Sequence, residues 1–182
     1  MATKRRASEG QEGRRGKAKR AKFTLTEARI PSTNKEGSIF VTGAGDFGQL
    51  GLGSDILEKT RFTLVPIKQE IVEICAGGMH TACLTKEGKV FTFGCNDEGA
   101  LGRNTSDKED SEFIPDIVEL PGKVIQISAG DSHTAALLDD GKVYAWGTFR
   151  DSHGNMGLTP KGNEKLPYLM MADHTIMKIA SG

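Results

Sequence analysis

The 182-residue sequence is poor in cysteine, tryptophan and tyrosine, and it contains no long apolar run. Its three cysteines form no Cys-x-x-Cys pair, so we interpret them as small buried residues of a protein from a reducing compartment. Because no stretch of about 18 apolar residues is present, we predict no transmembrane helix. The basic N-terminus is followed by no apolar stretch, so it lacks the pattern of a secretory signal.

What the sequence does contain is an uneven distribution of charge. The formal net charge is 0, but residues 1–22 hold nine basic residues against two acidic ones. Of the 24 residues of each sign, 15 basic and 22 acidic ones therefore lie in the rest of the chain. We predict a disordered basic tail over residues 1–34, too charged to form a core, and a folded acidic body over residues 35–182.

The body contains a repeat of 51–53 residues that its glycines make visible. Three strand-like segments bounded by glycine lie at 37–43, 88–94 and 141–147. Each is followed by a short glycine turn. These turns lie at 48–51, 99–102 and 154–157. The spacing indicates one supersecondary unit copied along the chain.

A second pattern recurs with the same period. Strands opened by histidine lie at 80–84 and 133–137, and a further short strand ending in glycine precedes each of them. That preceding strand has copies at 74–77, 127–130 and 179–182. Its last copy coincides with the last residue of the sequence. We therefore expect the sequence to stop inside a repeat, after about two and a half to three units.

Each unit offers about four short segments rich in valine, isoleucine, phenylalanine and threonine, with turn residues between them. Four strands that repeat at about 50 residues are typical of a β-propeller blade. No segment of the body keeps a 3.6-residue apolar period, so we expect few helices. The predicted fold is all-β, a partial propeller over residues 35–182.

The residues of the repeats carry a family resemblance. Residues 48–53 read GQLGLG, 93–102 read FGCNDEGALG, 129–137 read AGDSHTAAL and 146–154 read WGTFRDSHG. In these sequence motifs and in the period of its repeat, the stretch 37–182 resembles the regulator of chromosome condensation family. The resemblance implies a seven-bladed propeller that exchanges guanine nucleotide on the small GTPase Ran. It also implies a nuclear protein bound to chromatin through nucleosome histones and the DNA phosphate backbone.

Two aspartates stand out as candidate functional residues. Asp131 lies at a position where the preceding repeat has Gly78, so the fold does not demand a carboxylate there. Asp46 and Asp97 lie in glycine turns, where aspartate commonly bonds its own backbone. The resemblance implies that Asp46 and Asp131 match acidic residues with which the family grips Ran. We expect Asp97 to serve its own turn.

The third glycine turn is longer than the other two. Six residues separate Gly147 from Gly154, whereas four separate the equivalent glycines of the earlier repeats. Insertions on one face of a rigid scaffold are common functional positions, although a plain surface loop is the alternative. The resemblance places the family's β-wedge here, which contacts the phosphate loop of the GTPase. The wedge residues are Phe149, Arg150, Asp151, Ser152, His153, Gly154 and Asn155.

The basic tail forms two clusters separated by a spacer, as in a bipartite nuclear import signal. Such runs also bind DNA phosphates without reading sequence. The tail residues are Lys4, Arg5, Arg6, Arg14, Arg15, Lys17, Lys19, Arg20 and Lys22. We predict a nuclear import receptor and DNA as partners of this segment, with a purely solubilising tail as the alternative.

Two further motifs could indicate a cofactor site or a metal site, but each lacks a required part. Residues 43–48 spell G-x-G-x-x-G, but a dinucleotide site needs a helix next, and the following residues favour a turn. His80-x-x-Cys83 resembles half a metal site without a second half. We therefore expect no cofactor and no metal, and structural roles for His80 and His133. A propeller that docks on histones and DNA without exchange activity is the alternative function.

Overall fold

The computed structural model describes residues 37–182, and the predicted basic tail lies outside them. The described residues form twelve strands and no helix, so none of them belongs to a helix that could cross a membrane. The strands are β1 (Phe40–Ala44), β2 (Glu58–Leu64), β3 (Ile71–Ala76), β4 (His80–Thr85), β5 (Val90–Gly94), β6 (Asp116–Val118), β7 (Val124–Ala129), β8 (His133–Leu138), β9 (Val143–Gly147), β10 (Phe149–Asp151), β11 (Gly154–Gly157) and β12 (Glu164–Met170).

Two four-stranded antiparallel sheets dominate the fold. One has the order β3-β4-β5-β6 and the other β7-β8-β9-β12. The pairing repeats with the sequence period, since His80 opposes Gly94 in the first sheet and His133 opposes Gly147 in the second. The predicted unit of four strands is therefore the sheet itself, one propeller blade.

Two smaller sheets complete the described chain. β1 and β2 pair with each other and are the outer half of a preceding blade. β10 and β11 form a hairpin, residues 149–157, which is inserted between β9 and β12 and which we call the hairpin. The third copy of the predicted inner strand, 179–182, is not a strand, because no described strand pairs with it.

The blades pack face to face through contacts that recur with the repeat. In the first two glycine turns the last glycine lies against an aromatic ring of the next blade: Gly51 against Phe93, and Gly102 against Trp146. A Cβ on Gly102 would lie 2.7 Å from the indole, and its φ of +67° also favours glycine. The turns are therefore short and glycine-rich because they are packing surfaces.

The core lies between the two four-stranded sheets. Its buried side chains are Ala82, Leu84, Val90, Val118, Val124, Ile127, Ala136, Leu138 and Trp146. Cys83 is buried in a second cluster with Phe93, towards β1, and burial raises the pKa of its thiol to about 12. The prediction of a buried cysteine is confirmed for Cys83, whereas Cys75 and Cys95 are half-buried.

The three longest connections between the described strands of one blade, 45–57, 95–115 and 148–163, leave the blades on one face. In an antiparallel meander, the connections after the first and the third strand lie at the same end of the sheet. That end carries 77–79 and 95–115 in one blade, and 130–132 and the hairpin in the next. The Gly78 N–H donates to the Asp131 carbonyl at 3.0 Å, which joins the two blades on this side. We call it the hairpin face.

Candidate functional site

The hairpin face collects the predicted propeller site residues. Asp131 lies in the β7–β8 turn. Asp46 lies in the connection between β1 and β2, and β1 corresponds to the third strand of a complete blade. Both side chains are exposed, as is that of Asp97. A whole blade stands between Asp46 and Asp131, so the structure places them on one face without bringing them into contact.

The enlarged turn is an ordered hairpin. Asp151 opposes Gly154 and Arg150 opposes Asn155, with an irregularity between Phe149 and Arg150. The reversal uses Gly154 in the left-handed region, with φ +115°, and the His153 N–H donates to Asp151 Oδ1 at 2.7 Å. The tip residues Ser152 and His153 are exposed.

Two of the predicted residues meet at the base of the hairpin. Arg150 Nε lies 3.7 Å from Asp131 Oδ2, and the side chains are 42% and 62% exposed respectively. Asp131 Oδ2 also accepts a hydrogen bond of 3.1 Å from Ser132 Oγ. An ion pair this exposed contributes little to stability, about 1 kcal/mol or less. Both groups therefore remain available to a binding partner.

The hairpin is also held from below by an aromatic contact. The rings of Phe149 and His133 meet edge to face, with centroids 4.8 Å apart. His133 is buried, and this burial lowers the pKa of its imidazole against the opposing effect of Asp131. An edge-to-face pair of this kind contributes about 0.5–1.5 kcal/mol beyond burial. His133 thus supports the hairpin instead of standing free for chemistry.

His80 makes a blade-to-blade hydrogen bond, as predicted. Its Nε2 lies 2.8 Å from Thr134 Oγ1 in the neighbouring blade. Thr134 donates its one hydroxyl proton to the Ala100 carbonyl at 2.9 Å, so the hydroxyl accepts from His80 Nε2–H. Burial, and secondarily the charge of His133, lowers the pKa of His80 to about 4. His80 is a neutral structural donor.

The loop 95–115 beside the hairpin is organised around a buried arginine. Arg103 Nη2 donates to the carbonyls of Thr92 at 3.0 Å, Ser111 at 2.9 Å and Ile114 at 3.3 Å. Burial lowers the pKa of this guanidinium. Asn96, also buried, donates from Nδ2 to the Arg103 carbonyl at 3.1 Å. The loop is therefore a fixed platform on the hairpin face.

Sequence reasoning missed one residue of this platform, Glu98. Its carboxylate accepts hydrogen bonds from the side-chain amides of Asn155, in the hairpin, and Asn163, just before β12. The available signal was the repeat itself. The equivalent of Glu98 in the preceding repeat is Phe47, so the blade does not demand an acid there.

The structure also shows the surroundings of the G-x-G-x-x-G stretch and of the histidine and cysteine side chains. After β1 the residues of the G-x-G-x-x-G stretch form a turn that leads to β2, and no helix follows them. Within residues 37–182, no group of three or more histidine, cysteine, aspartate or glutamate side chains is arranged to hold a metal ion. A shallow depression of about 400 Å³ lies along 105–113, and none of the predicted site residues lines it.

Comparison with known proteins decides the family. The family model of the RCC1-like domain matches residues 38–182. The chain belongs to the RCC1-like domain family. It is 54% identical over 166 residues to the Regulator of chromosome condensation of Drosophila melanogaster, covering 91% of this chain and 30% of that protein. It is 36% identical over 154 residues to Guanine nucleotide exchange factor SRM1 of Saccharomyces cerevisiae, covering 65% of this chain and 32% of that protein.

Two solved structures share this RCC1-like fold. One is Prp20p from Saccharomyces cerevisiae, described with its binding to Gsp1p and histones, at TM-score 0.72 and 36% identity over 80% of this chain and 37% of the other. The second is yeast RCC1 (Prp20) bound to Kap60, at TM-score 0.76 and 31% identity, and the match covers 99% of this chain and 44% of the other. The predicted all-β partial propeller and the family resemblance are confirmed. The chain spans about a third of the length of the curated relatives it matches.

Proposed function

We propose that the chain is part of a guanine-nucleotide exchange factor that acts on the small GTPase Ran at chromatin in the nucleus. The observation that carries the proposal is the hairpin. It is an ordered insertion absent from the first two repeats, and it projects from a face with exposed carboxylates. Two relatives support it: one is named a guanine nucleotide exchange factor, and another binds Gsp1p and histones.

The proposed contact surface is the hairpin face. Asp46 and Asp131 bind basic residues of the GTPase, since opposite charges across an interface favour encounter and register. The residues of the hairpin contact the nucleotide-binding region of the GTPase. These contact residues are Phe149, Arg150, Asp151, Ser152, His153, Gly154 and Asn155.

The proposed mechanism requires no bond-making chemistry from the chain. A rigid hairpin held on a propeller binds one GTPase conformation better than others. If that conformation has weakened contacts to the bound nucleotide, binding shifts the population towards nucleotide release. The contact of Phe149 with the buried ring of His133 holds the base of the hairpin and suits it to this task.

Chromatin and import partners are a second part of the proposal. The domain docks on nucleosome histones, and the binding of histones by Prp20p supports this partner. The basic tail, residues 1–22, binds DNA phosphates and a nuclear import receptor. The complex of yeast RCC1 with Kap60 supports the import partner.

The test is nucleotide release from Ran by the full-length protein carrying Asp131→Ala or Arg150→Ala. We expect each change to slow release about tenfold, because each removes a charged contact to the GTPase. The Tm should hardly change, because the pair is exposed. Asp97→Ala is the matched control and should exchange normally. A Tm lowered by several degrees with normal exchange would show that Asp131 is only structural.

A further inference from the structure

The strongest observation outside the predicted site is the double hydrogen bond of Glu98. One carboxylate oxygen, Oε1, accepts from Asn155 Nδ2, and the other, Oε2, accepts from Asn163 Nδ2. Asn155 lies in β11 and Asn163 lies one residue before β12. Glu98 belongs to the neighbouring blade. A single side chain thus ties both ends of the stretch 155–163 to another blade.

Glu98 is held rigidly in its own blade. Its turn is closed by the Gly99 N–H, which donates to the Asn96 carbonyl at 2.9 Å. The Asn96 side chain in turn accepts from the Leu101 N–H at 3.0 Å and is buried. Gly99 packs on Lys165, where an added Cβ would lie 2.7 Å from the Lys165 Cα. The turn is therefore in direct backbone contact with the start of β12, two residues after Asn163.

Blade packing alone does not require this arrangement. The preceding repeat makes the same backbone approach, since Gly48 packs on Phe113 as Gly99 packs on Lys165. There the residue before the glycine is Phe47, which is half exposed. The carboxylate at position 98 thus occurs in the blade that neighbours the hairpin, where two amides face it.

We propose that Glu98 is a positioning residue that fixes the direction in which the hairpin projects. Two short strands are marginal as an independent unit, so the hairpin needs external attachments. Phe149 attaches β10 to His133 of its own blade through their ring contact. Glu98 attaches β11 to the neighbouring blade. The hairpin is held from both sides, and its exchange role rests on the function proposed above.

The proposal predicts local loosening when Glu98 is changed. In the full-length protein, Glu98→Ala should speed amide hydrogen exchange of residues 149–163 by about tenfold, because two charge-assisted hydrogen bonds are lost. Exchange in β7 and β8 should stay the same. The kcat of nucleotide release from Ran should fall while KM changes little, because Glu98 sets the hairpin's direction without holding the GTPase.

A polarity swap separates positioning from simple damage. Glu98→Gln alone should loosen the hairpin, because glutamine has no charge and keeps one acceptor oxygen for the two asparagine Nδ2 donors. Adding Asn163→Asp restores a donor–acceptor pair with the same total charge. The Glu98→Gln/Asn163→Asp double variant should therefore recover part of the hydrogen-exchange protection and of kcat. Asp97→Asn, the neighbouring acid in the same turn, is the control for loss of one negative charge.

Hydrogen exchange tests the positioning role of Glu98, and nucleotide release tests the role of the hairpin in exchange on Ran. Unchanged hydrogen exchange in 149–163 after Glu98→Ala, or no recovery in the double variant, overturns the proposal. A loosened hairpin that recovers in the double variant supports it. If the hairpin loosens while nucleotide release stays normal, Glu98 positions the hairpin as proposed, and the hairpin's role in exchange is what fails.

Discussion

At the scale of single residues, the structure divides the chain's histidines and acids by the surfaces they face. His80 is buried between two blades, and its imidazole donates to Thr134. Asp131 and Arg150 meet on the exposed hairpin face. His80, which serves the repeat, is therefore buried and neutral, whereas Asp131 and Arg150, which we propose bind a partner, are exposed.

Burial of His80 predicts a pH-dependent stability. The pKa of His80 is about 4 in the folded protein, against 6.5 for an unperturbed imidazole. Above pH 6.5 the side chain is neutral in both states. As the pH falls towards 4, the unfolded state takes up a proton that the folded state refuses. The free energy of unfolding should therefore decrease by up to about 3 kcal/mol over this window.

The measurement compares the Tm at pH 7 and pH 4.5 in the wild-type protein and in His80→Gln. Glutamine keeps a donor for Thr134 and does not titrate, so the variant should lose less Tm on acidification. The control is His174→Gln, at an exposed position. An identical pH dependence in wild type and His80→Gln would contradict the buried, neutral assignment.

At the scale of elements, the repeat predicted the strands and turns well because blade packing is periodic. Glycines at 51 and 102 recur because each meets an aromatic ring of the next blade. The enlarged third turn was visible as a break in that period. Its pairing as β10 and β11, the ring contact of Phe149 with His133 and the role of Glu98 were not visible. These depend on side chains brought together across the fold, such as Glu98 and Asn163, 65 positions apart.

The basic tail allows an independent prediction. Deleting residues 1–22 from the full-length protein should abolish nuclear accumulation and most chromatin retention. It should also remove the weak DNA binding that we expect from nine positive charges, whose affinity should fall steeply as the salt concentration rises. Microscopy and DNA binding at two salt concentrations measure these effects.

A grafted import signal separates the two roles of the tail. Adding an unrelated import signal to the deleted protein should restore nuclear accumulation and leave DNA binding weak. Unchanged nuclear accumulation after the deletion itself would contradict the import assignment.

At the scale of the whole molecule, the described blades leave surfaces open. β1 occupies the position of β5 in its blade, but among residues 37–182 it pairs on one side alone. Apolar side chains of this sheet face solvent: Phe62 is 77% exposed and Phe40 is 57% exposed. In a closed ring each blade is covered on both sides by its neighbours.

Residues 1–182 produced alone should therefore self-associate and show no measurable exchange on Ran. Open strand edges and apolar faces favour association over monomeric folding. Sedimentation velocity and fluorescent-nucleotide release, with the full-length protein as control, measure both properties. A stable monomer with exchange near the full-length rate would show that these blades suffice.

The proposed role of the hairpin in nucleotide exchange on Ran can be measured directly. In the full-length protein, the six residues between Gly147 and Gly154 are replaced by the four that follow Gly94, which restores the regular turn. We expect the variant to keep its Tm within a few degrees and its histone binding, and to lose at least about 90% of the stimulated release of nucleotide from Ran. Release at the wild-type rate from this folded variant would contradict the account, and no stimulation by the wild-type protein would favour a histone-docking propeller without exchange activity.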